Sequence, residues 1–409
     1  MNAIHYQGKR KVFLIVMLGL LNTLTPISID MYLPAFPQIA KDLHTSMGNV
    51  SLSVSSYFLG FAIGQILYGP LLDRYGRKGP LYIGLFLYAL ASVGCINSPN
   101  IEVFWIIRFF QAVSGCVASV AAMAMVRDFF SVEQSARIIS LLILILGVSP
   151  LLAPTVGSFI VNFWGWHLVF IVLAAIALLM LLFVFILLPE GHEPDPSISL
   201  KAKSIIAGFR AILFDPQFYV FALSGTFSFA GLFVYVAGSP AIFMQGFHLG
   251  PKTYGGIFAL LSVSFIGGSQ LNHLLTRKFK NDEILRVTLY IQVLVGLIFL
   301  IGELTSLNGL VAVIVFLFIL LGCAGLTFPN AAAIALAPFS KNGGSASALL
   351  GFIQIGIGGL ISSAVGVLGF KGSLATASIM SLSAIIGLVI LLTQINKLVP
   401  GYKDGFGRR

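Results

Sequence analysis

Two charged side chains, Asp30 and Arg108, lie within long apolar runs of this sequence. A carboxylate and a guanidinium in such surroundings can move a proton. Burial disfavours the ionised acid, a nearby arginine favours it, and bringing the two together or apart would load and unload the acid. Each costs about 2.5–3.5 kcal/mol to place at mid-bilayer on insertion scales, so each is a functional candidate. Asp30 comes 19 residues after Lys11, about 28 Å along a straight helix, and Arg108 six residues after Glu102, about 9 Å from that end. Both therefore fall in the outer half of a membrane, and that shared depth predicts a pair. Among the 14 acids, Asp30 is the one that sits well inside an apolar run.

Other chemistries find no set of residues. Cys95, Cys116 and Cys323 lie in apolar stretches without a CxxC pattern, so neither a disulfide framework nor a zinc site is suggested. The six histidines show no metal-ligand spacing. No GxxxxGK[ST] loop is present for an ATP-driven pump, and no nucleophile, base and metal residues cluster for a membrane enzyme. No cofactor and no metal are expected. The net charge of +10 does not indicate nucleic acid, because the charges sit in short loops between apolar runs.

The elements that must position Asp30 and Arg108 follow from composition. Of 409 residues, 9% are charged and 58% hydrophobic, with mean hydropathy +0.99. An ordinary soluble domain carries about 25% charged residues, and so few could not cover a water-facing surface. Apolar runs long enough for a bilayer core of about 30 Å fall near 11–36, 48–71, 79–97, 101–126, 137–162, 165–188, 217–245, 252–275, 284–302, 309–336, 344–369 and 373–396. They are continuous, which excludes an outer-membrane barrel. The first is too long and too late for a cleaved signal peptide. With the N-terminus in the cytoplasm, Lys41, Lys252 and Lys371 remain outside, Arg108 lies in a span, and the other 20 of the 24 lysines and arginines face the cytoplasm. By the positive-inside rule both termini are then cytoplasmic.

The expected architecture is an all-α membrane protein of twelve transmembrane helices in two six-helix halves, 1–188 and 217–409. Residues 189–216 form a cytoplasmic linker. Its opening, Pro189 to Pro196, is too polar and proline-rich for a helix. Ile198 to Phe214 carries Lys201, Lys203 and Arg210 among apolar residues, as an amphipathic surface helix or a plain linker would. A weak repeat supports the halves: Gly64…Gly69…Leu71-Leu72-Asp73-Arg74 aligns at an offset of 203 with Gly267…Asn272…Leu274-Leu275-Thr276-Arg277.

Residues 69–81, Gly-Pro-Leu-Leu-Asp-Arg-Tyr-Gly-Arg-Lys-Gly-Pro-Leu, resemble the signature loop of the major facilitator superfamily, G-x-L-x-D-R-x-G-R-K-x-x-L, at every specified position. The resemblance implies a conformational latch of Gly69, Asp73, Arg74, Gly76 and Arg77. The glycines would permit close helix approach and a tight turn, and Asp73 would face a helix N-terminus of the other half. Arg108-Phe109-Phe110-Gln111-Ala112 is similar to the family's R-x-x-Q-G, with alanine for glycine. Gly147 to Ser158 resembles the antiporter stretch G-x-x-x-G-P-x-x-G-G through Gly147, Pro150, Pro154 and Gly157, with Ala153 and Ser158 replacing glycines. Its prolines and small residues would kink and tighten the fifth span.

Leu24 to Pro37, with Ser345-Ala346-Ser347-Ala348-Leu349, is similar to the bicyclomycin/chloramphenicol-resistance type of drug:proton antiporter. That implies export of small toxic compounds from the bacterial cytoplasm across the inner membrane, driven by protons. A metabolite or sugar-derivative transporter of the same fold is the alternative. The expected partners are a small-molecule drug, protons and the lipid bilayer, without nucleic acid, and the protein is expected to be a monomer. Asn22, Tyr32, Tyr57, Phe61, Gln65, Gln111, Tyr235, Met244 and Gln354 are candidate substrate contacts, since aromatics, methionine and neutral amides suit a pocket that accepts many shapes.

Overall fold

The computed structural model describes residues 8–191, 194–197, 209–339, 343–368 and 373–398. Among these residues the secondary structure is helical and no strand occurs. The first stretch holds α1 (Gly8–Asp30), α2 (Phe36–Asp42), α3 (Met47–Tyr75), α4 (Lys78–Ile96), α5 (Ile101–Phe129), α6 (Val132–Trp164) and α7 (Trp166–Leu187). The second holds α8 (Pro216–Pro240), α9 (Pro251–Leu275), α10 (Asn281–Leu304), α11 (Leu310–Leu336), α12 (Gly343–Leu368) and α13 (Leu374–Leu398). Eleven helical segments among the described residues are long and apolar enough to cross a membrane. α6, with an apolar run at Val148–Trp164 inside its 33 residues, supplies the twelfth expected span.

Helix starts follow local capping chemistry. Ser46, Asn100, Ser131 and Asp215 each accept a backbone N–H three residues on, which satisfies one of the amides a helix leaves unpaired. The ends depart from the expected spans in two informative places. The first span was expected to run unbroken over 11–36, yet α1 stops at Asp30, and a turn leads to a 3-10 segment at Leu33–Ala35 and then to α2. Pro34 and Pro37 lack the N–H that a continuous helix would need there. Likewise Pro240 ends α8, and the chain closes over Ala241–Gly246 in wider π-type turns. Most of the expected amphipathic linker helix, residues 198–208, lies outside the described residues; 209–213 are helical.

The chain divides into two compact units. One comprises Met1–Ala202 with Phe243–Ser262, and the other Lys203–Ile242 with Val263–Arg409. In the first, α5 is central, packed by α1, α3 and α4, while α4 also lies on α7 and α1 on α6. The α3–α5 contact is closest at Gly60, where a Cβ would strike the Phe109 carbonyl and come 3.1 Å from the methyl of Ala112. This explains how Ala112 stands where the family pattern has glycine: the glycine that permits the approach is on the facing helix. In the second unit α8 is central, packed by α11, α12 and α13. Its Phe218, Phe221 and Ala222 join Leu285, Leu289, Ala331, Leu349, Leu350, Ile353 and Leu391 in one apolar core. Gly60→Val is expected to destabilise the protein by about 1–3 kcal/mol, seen as a lower unfolding temperature in detergent. The same change at exposed Leu67 should stay within about 0.5 kcal/mol.

Candidate functional site

Several buried polar residues of the first unit gather around Arg108. Its guanidinium is fully enclosed, flanked by the rings of Tyr32 at 4.4 Å and Tyr57 at 4.3 Å, with Phe170 at 5.7 Å. Two of its nitrogens are spoken for: Nη1 donates to Gln111 Oε1 at 2.5 Å and Nη2 to the Ser28 carbonyl at 3.1 Å. Gln111 in turn donates to Ser92 Oγ at 2.7 Å, and Ser92 to the Tyr88 carbonyl at 2.8 Å. Tyr88 Oη meets Ser28 Oγ, and Tyr32 Oη meets Ser53 Oγ at 2.9 Å. An arginine stays charged at any physiological pH. Here two aromatic faces and two neutral oxygens offset its lost hydration, so α1, α3, α4, α5 and α7 all contribute to holding one ion.

The expected ion pair is not formed in this structure. Asp30 is buried at the end of α1, but no ion pair joins it to Arg108, whose partners are on Gln111 and Ser28. Positions 28 and 30 differ by about 200° around a helix at 3.6 residues per turn. Shared depth therefore did not mean a shared face. What meets the Asp30 end is α6. A Cβ on Gly157 would collide with the Met31 carbonyl and lie 3.1 Å from the Met31 Cα. A glycine of the antiporter-like stretch thus lets α6 touch the backbone where α1 breaks. Pro150 and Pro154 both lie inside α6, which continues through them. Ser158 Oγ lies 2.7 Å from the Pro154 carbonyl and 2.8 Å from that of Pro251, a use for the hydroxyl that a glycine could not supply. The surroundings of Gly147 are outside the described residues.

A second charged cluster sits between α3 and α4. Gly76 has φ +80°, the left-handed turn that places Arg77 at the start of α4. Arg77 is buried and binds Asp128 through Nε at 2.7 Å and Nη2 at 3.3 Å, and Asp73 through Nη1 at 2.6 Å. Burial works against its charge, but the hydrogen bonds to Asp128 and Asp73 outweigh that and hold its pKa above the ordinary value. Gly69, by contrast, has no atom within 4 Å of where its Cβ would be. Close helix approach is not what Gly69 provides in this structure.

The candidate substrate contacts do not form one set. Tyr32, Tyr57 and Gln111 enclose Arg108 and are themselves fully buried. Asn22 lies on α1 three residues before Thr25, each with a buried polar atom that no partner satisfies. Phe61 is buried and Gln65 half-buried on α3. Tyr235 and Gln354 belong to the second unit, and Met244 lies in the part of the chain that groups with the first. Sequence reasoning missed Ser28, Tyr88, Ser92 and Phe170 around Arg108, and Asp128 and Glu190 around Arg77. It also missed a neutral cluster of the second unit, in which Ser228 Oγ lies 2.5 Å from Gln292 Oε1 and 2.7 Å from Thr327 Oγ1. Ser28, Ser92 and Gln111 stand on α1, α4 and α5, and this trio stands on α8, α10 and α11, so comparing the two halves was the available signal.

Long apolar helices around a buried charge and a charged inter-helix loop define an all-α, multi-pass membrane protein. The family model described as the Major Facilitator Superfamily matches residues 18–363, and the chain belongs to that superfamily. It is 32% identical over 383 residues to the uncharacterized MFS-type transporter YdgK of Bacillus subtilis, covering 93% of this chain and 94% of that one. It is 31% identical over 359 residues to the bicyclomycin resistance protein homolog of Haemophilus influenzae, with 88% and 90% covered. The multidrug resistance protein MdtL of Shewanella oneidensis is 28% identical over 370 residues, with 90% and 92% covered. Among solved structures, a D-xylose-proton symporter superposes with TM-score 0.70 at 16% identity, covering 92% of this chain and 96% of that one. A bacterial homolog of the lysosomal transporter Spinster superposes with TM-score 0.69 at 16% identity, covering 95% and 96%. These likenesses establish the fold, and the protein is a multi-pass transporter of the bacterial inner membrane.

Arg108→Lys should not be a conservative change, because an ammonium can neither stack flat between Tyr32 and Tyr57 nor reach Gln111 and the Ser28 carbonyl together. The expected loss is about 2 kcal/mol of stability, read as a lower unfolding temperature in detergent. A lysine variant as stable as the parent would show that stacking contributes little.

Proposed function

We propose that this transporter exports small toxic compounds, of the amphenicol or bicyclomycin kind, from the cytoplasm in exchange for protons by alternating access. The observation that carries this reading is Asp30, a buried carboxylate at a helix break with no ion pair to Arg108, a buried cation of the same unit. A carboxylate that no cation neutralises is expensive to keep ionised in an apolar interior and readily takes a proton. The names of the relatives in Haemophilus influenzae and Shewanella oneidensis, bicyclomycin resistance and multidrug resistance, support the drug class. The similarity to a D-xylose-proton symporter at 16% identity speaks for the fold alone, so the metabolite-transporter reading gains nothing from it.

In this reading Asp30 carries the proton. Arg108 acts as a fixed positive charge bound to the Ser28 carbonyl, two residues before Asp30, rather than as a salt-bridge partner. Gly157 holds α6 against the break in α1, within the antiporter-like stretch that also carries Gly147, Pro150 and Pro154. Asp73, Arg74, Gly76 and Arg77, with Gly69 on the preceding turn, form a latch that sets the balance between states. The two halves, 1–188 and 217–409, move as a monomer with both termini in the cytoplasm. Tyr32, Tyr57 and Gln111 act through Arg108; Asn22, Phe61, Gln65, Tyr235, Met244 and Gln354 remain the proposed drug contacts. Each proton entering brings one charge through the membrane potential, worth about 2.3 kcal/mol per 100 mV, enough to bias export.

A pump-deficient bacterial host expressing the chain should gain resistance to at least one of chloramphenicol, bicyclomycin, fluoroquinolones, sulfonamides or lipophilic cations. Protection against none would move weight to the metabolite reading. In proteoliposomes Asp30→Asn should retain drug binding and lose pH-driven uphill transport. If the variant still concentrates drug against a gradient, the coupling proton is carried elsewhere.

A further inference from the structure

We propose that Glu190, in the segment joining the two halves, is a positioning residue of the latch, so that this segment works in transport rather than only tethering. The proposal rests on the latch role assigned above to Asp73 and Arg77.

Helix α4 begins in an unfavourable way. Its first turn is Lys78-Gly79-Pro80-Leu81, it contains no acid, and Arg77 at its N-cap makes no side-chain cap. Two cations thus stand at the positive end of the helix dipole, and the first amides lack a local partner. Glu190, more than a hundred residues further on, supplies what is missing. Its Oε1 accepts from the Arg77 N–H at 2.9 Å and the Lys78 N–H at 3.1 Å. The same stretch is held at two further points. A Cβ on Gly191 would lie 2.7 Å from Asp128 Oδ2 and 3.3 Å from Arg77 Cγ, and the Asp195 N–H donates to the Asp73 carbonyl at 3.2 Å. Glu190, Gly191 and Asp195 therefore lie as a strap against Asp73, Arg77 and Asp128, the three residues of the charged cluster.

The second half of the chain provides a control. The repeat offset of 203 sets Lys78 against Asn281, Gly79 against Asp282 and Pro80 against Glu283. There α10 carries Asp282 and Glu283 in its own first turn, and Glu283 Oε2 accepts from the Lys280 N–H at 3.1 Å. A cap within a helix's own first turn is always at hand. A cap borrowed from the inter-half segment is present only while that segment lies where it does here. The start of α4, and with it the position of Arg77 between Asp73 and Asp128, is thereby made conditional on the linker. By linkage the dependence is mutual: loosening Arg77 must also loosen the strap.

The test compares Glu190→Ala, Glu190→Gln and Glu190→Ala combined with Gly79→Asp. Gly79 is exposed with no atom within 4 Å of its Cβ position, so the new carboxylate fits and gives α4 an acid of its own. In proteoliposomes with radiolabelled chloramphenicol, Glu190→Ala should lower the maximal rate roughly fivefold or more while binding stays within about twofold. Glu190→Gln, which keeps the accepting oxygen, should recover most of the rate. Adding Gly79→Asp should restore the unfolding temperature and leave the rate low. If it restores both, or if Glu190→Ala transports at the parent rate, Glu190 is an ordinary cap and the proposal fails. Should Glu190→Ala not fold, the double variant carries the comparison.

Hydrogen exchange provides an arm that needs no drug. Glu190→Ala should speed exchange at Arg77 and Lys78 roughly tenfold, and Asp73→Asn should do the same at Glu190, Gly191 and Asp195. Unchanged exchange in the second case would overturn the coupling. Absence of chloramphenicol flux in the unaltered protein would count against the proposed function and leave exchange to decide the strap. Normal flux in Asp73→Asn would instead sink the latch reading on which the strap depends.

Discussion

A guanidinium inside an apolar helix bundle must be solvated by the protein itself, and the first unit is organised around meeting that demand for Arg108. No carboxylate does it. Tyr32 and Tyr57 lend their ring faces, Gln111 and the Ser28 carbonyl lend oxygens, and Ser92 fixes the Gln111 amide by accepting from it. Each of these groups comes from a different helix or a different turn, so the ion sets the mutual register of α1, α3, α4 and α5. A merely apolar core would tolerate sliding; a charge that has only these partners does not. Arg108 makes its two hydrogen bonds to Gln111 and Ser28, and its Nε is buried without a partner. Among the described residues Asp30 has no ion pair at the end of α1, next to Met31, which meets the helix that carries Gly157.

The two units differ in kind. Among the described residues the buried charged side chains are Asp30, Arg77 and Arg108, and all three lie in the first unit. The second uses neutral groups at comparable places: Ser228, Gln292 and Thr327 on α8, α10 and α11, and an amide pair in which Asn330 Nδ2 donates to Asn272 Oδ1 at 2.6 Å. Asn272 stands at the repeat position of Gly69, where the loop that follows has lost the aspartate of its counterpart. A half with neutral networks can hold its shape at any pH, whereas a half with buried charges can respond to protonation. That difference supports the proposal that Asp30, in the first unit, carries the proton.

Hydropathy alone located the spans, because a bilayer imposes a length on every apolar run. It missed the break after Asp30, since Pro34 and Pro37 are themselves apolar and do not interrupt the run they terminate. The depth of Asp30 and Arg108 was legible from residue counts, but depth fixes height on a helix and not direction around it. Hence the expected pair became two separate sites. Asp73 and Arg77 were visible through the family pattern. Asp128 and Glu190 were not, because contacts separated by 51 and by more than a hundred residues leave no local spacing to read. Gly76 was expected at a tight turn and has the φ of one, while Gly69, equally prominent in the pattern, touches nothing at its Cβ position.

The central claim is that Asp30 holds a proton that drug displaces. It is tested most directly by adding drug to the purified protein in weakly buffered detergent near neutral pH and measuring proton release. The unaltered protein should release protons in proportion to the drug bound, and Asp30→Asn should bind the drug while releasing none. Equal release from both proteins would contradict the account and place the coupling proton on another group.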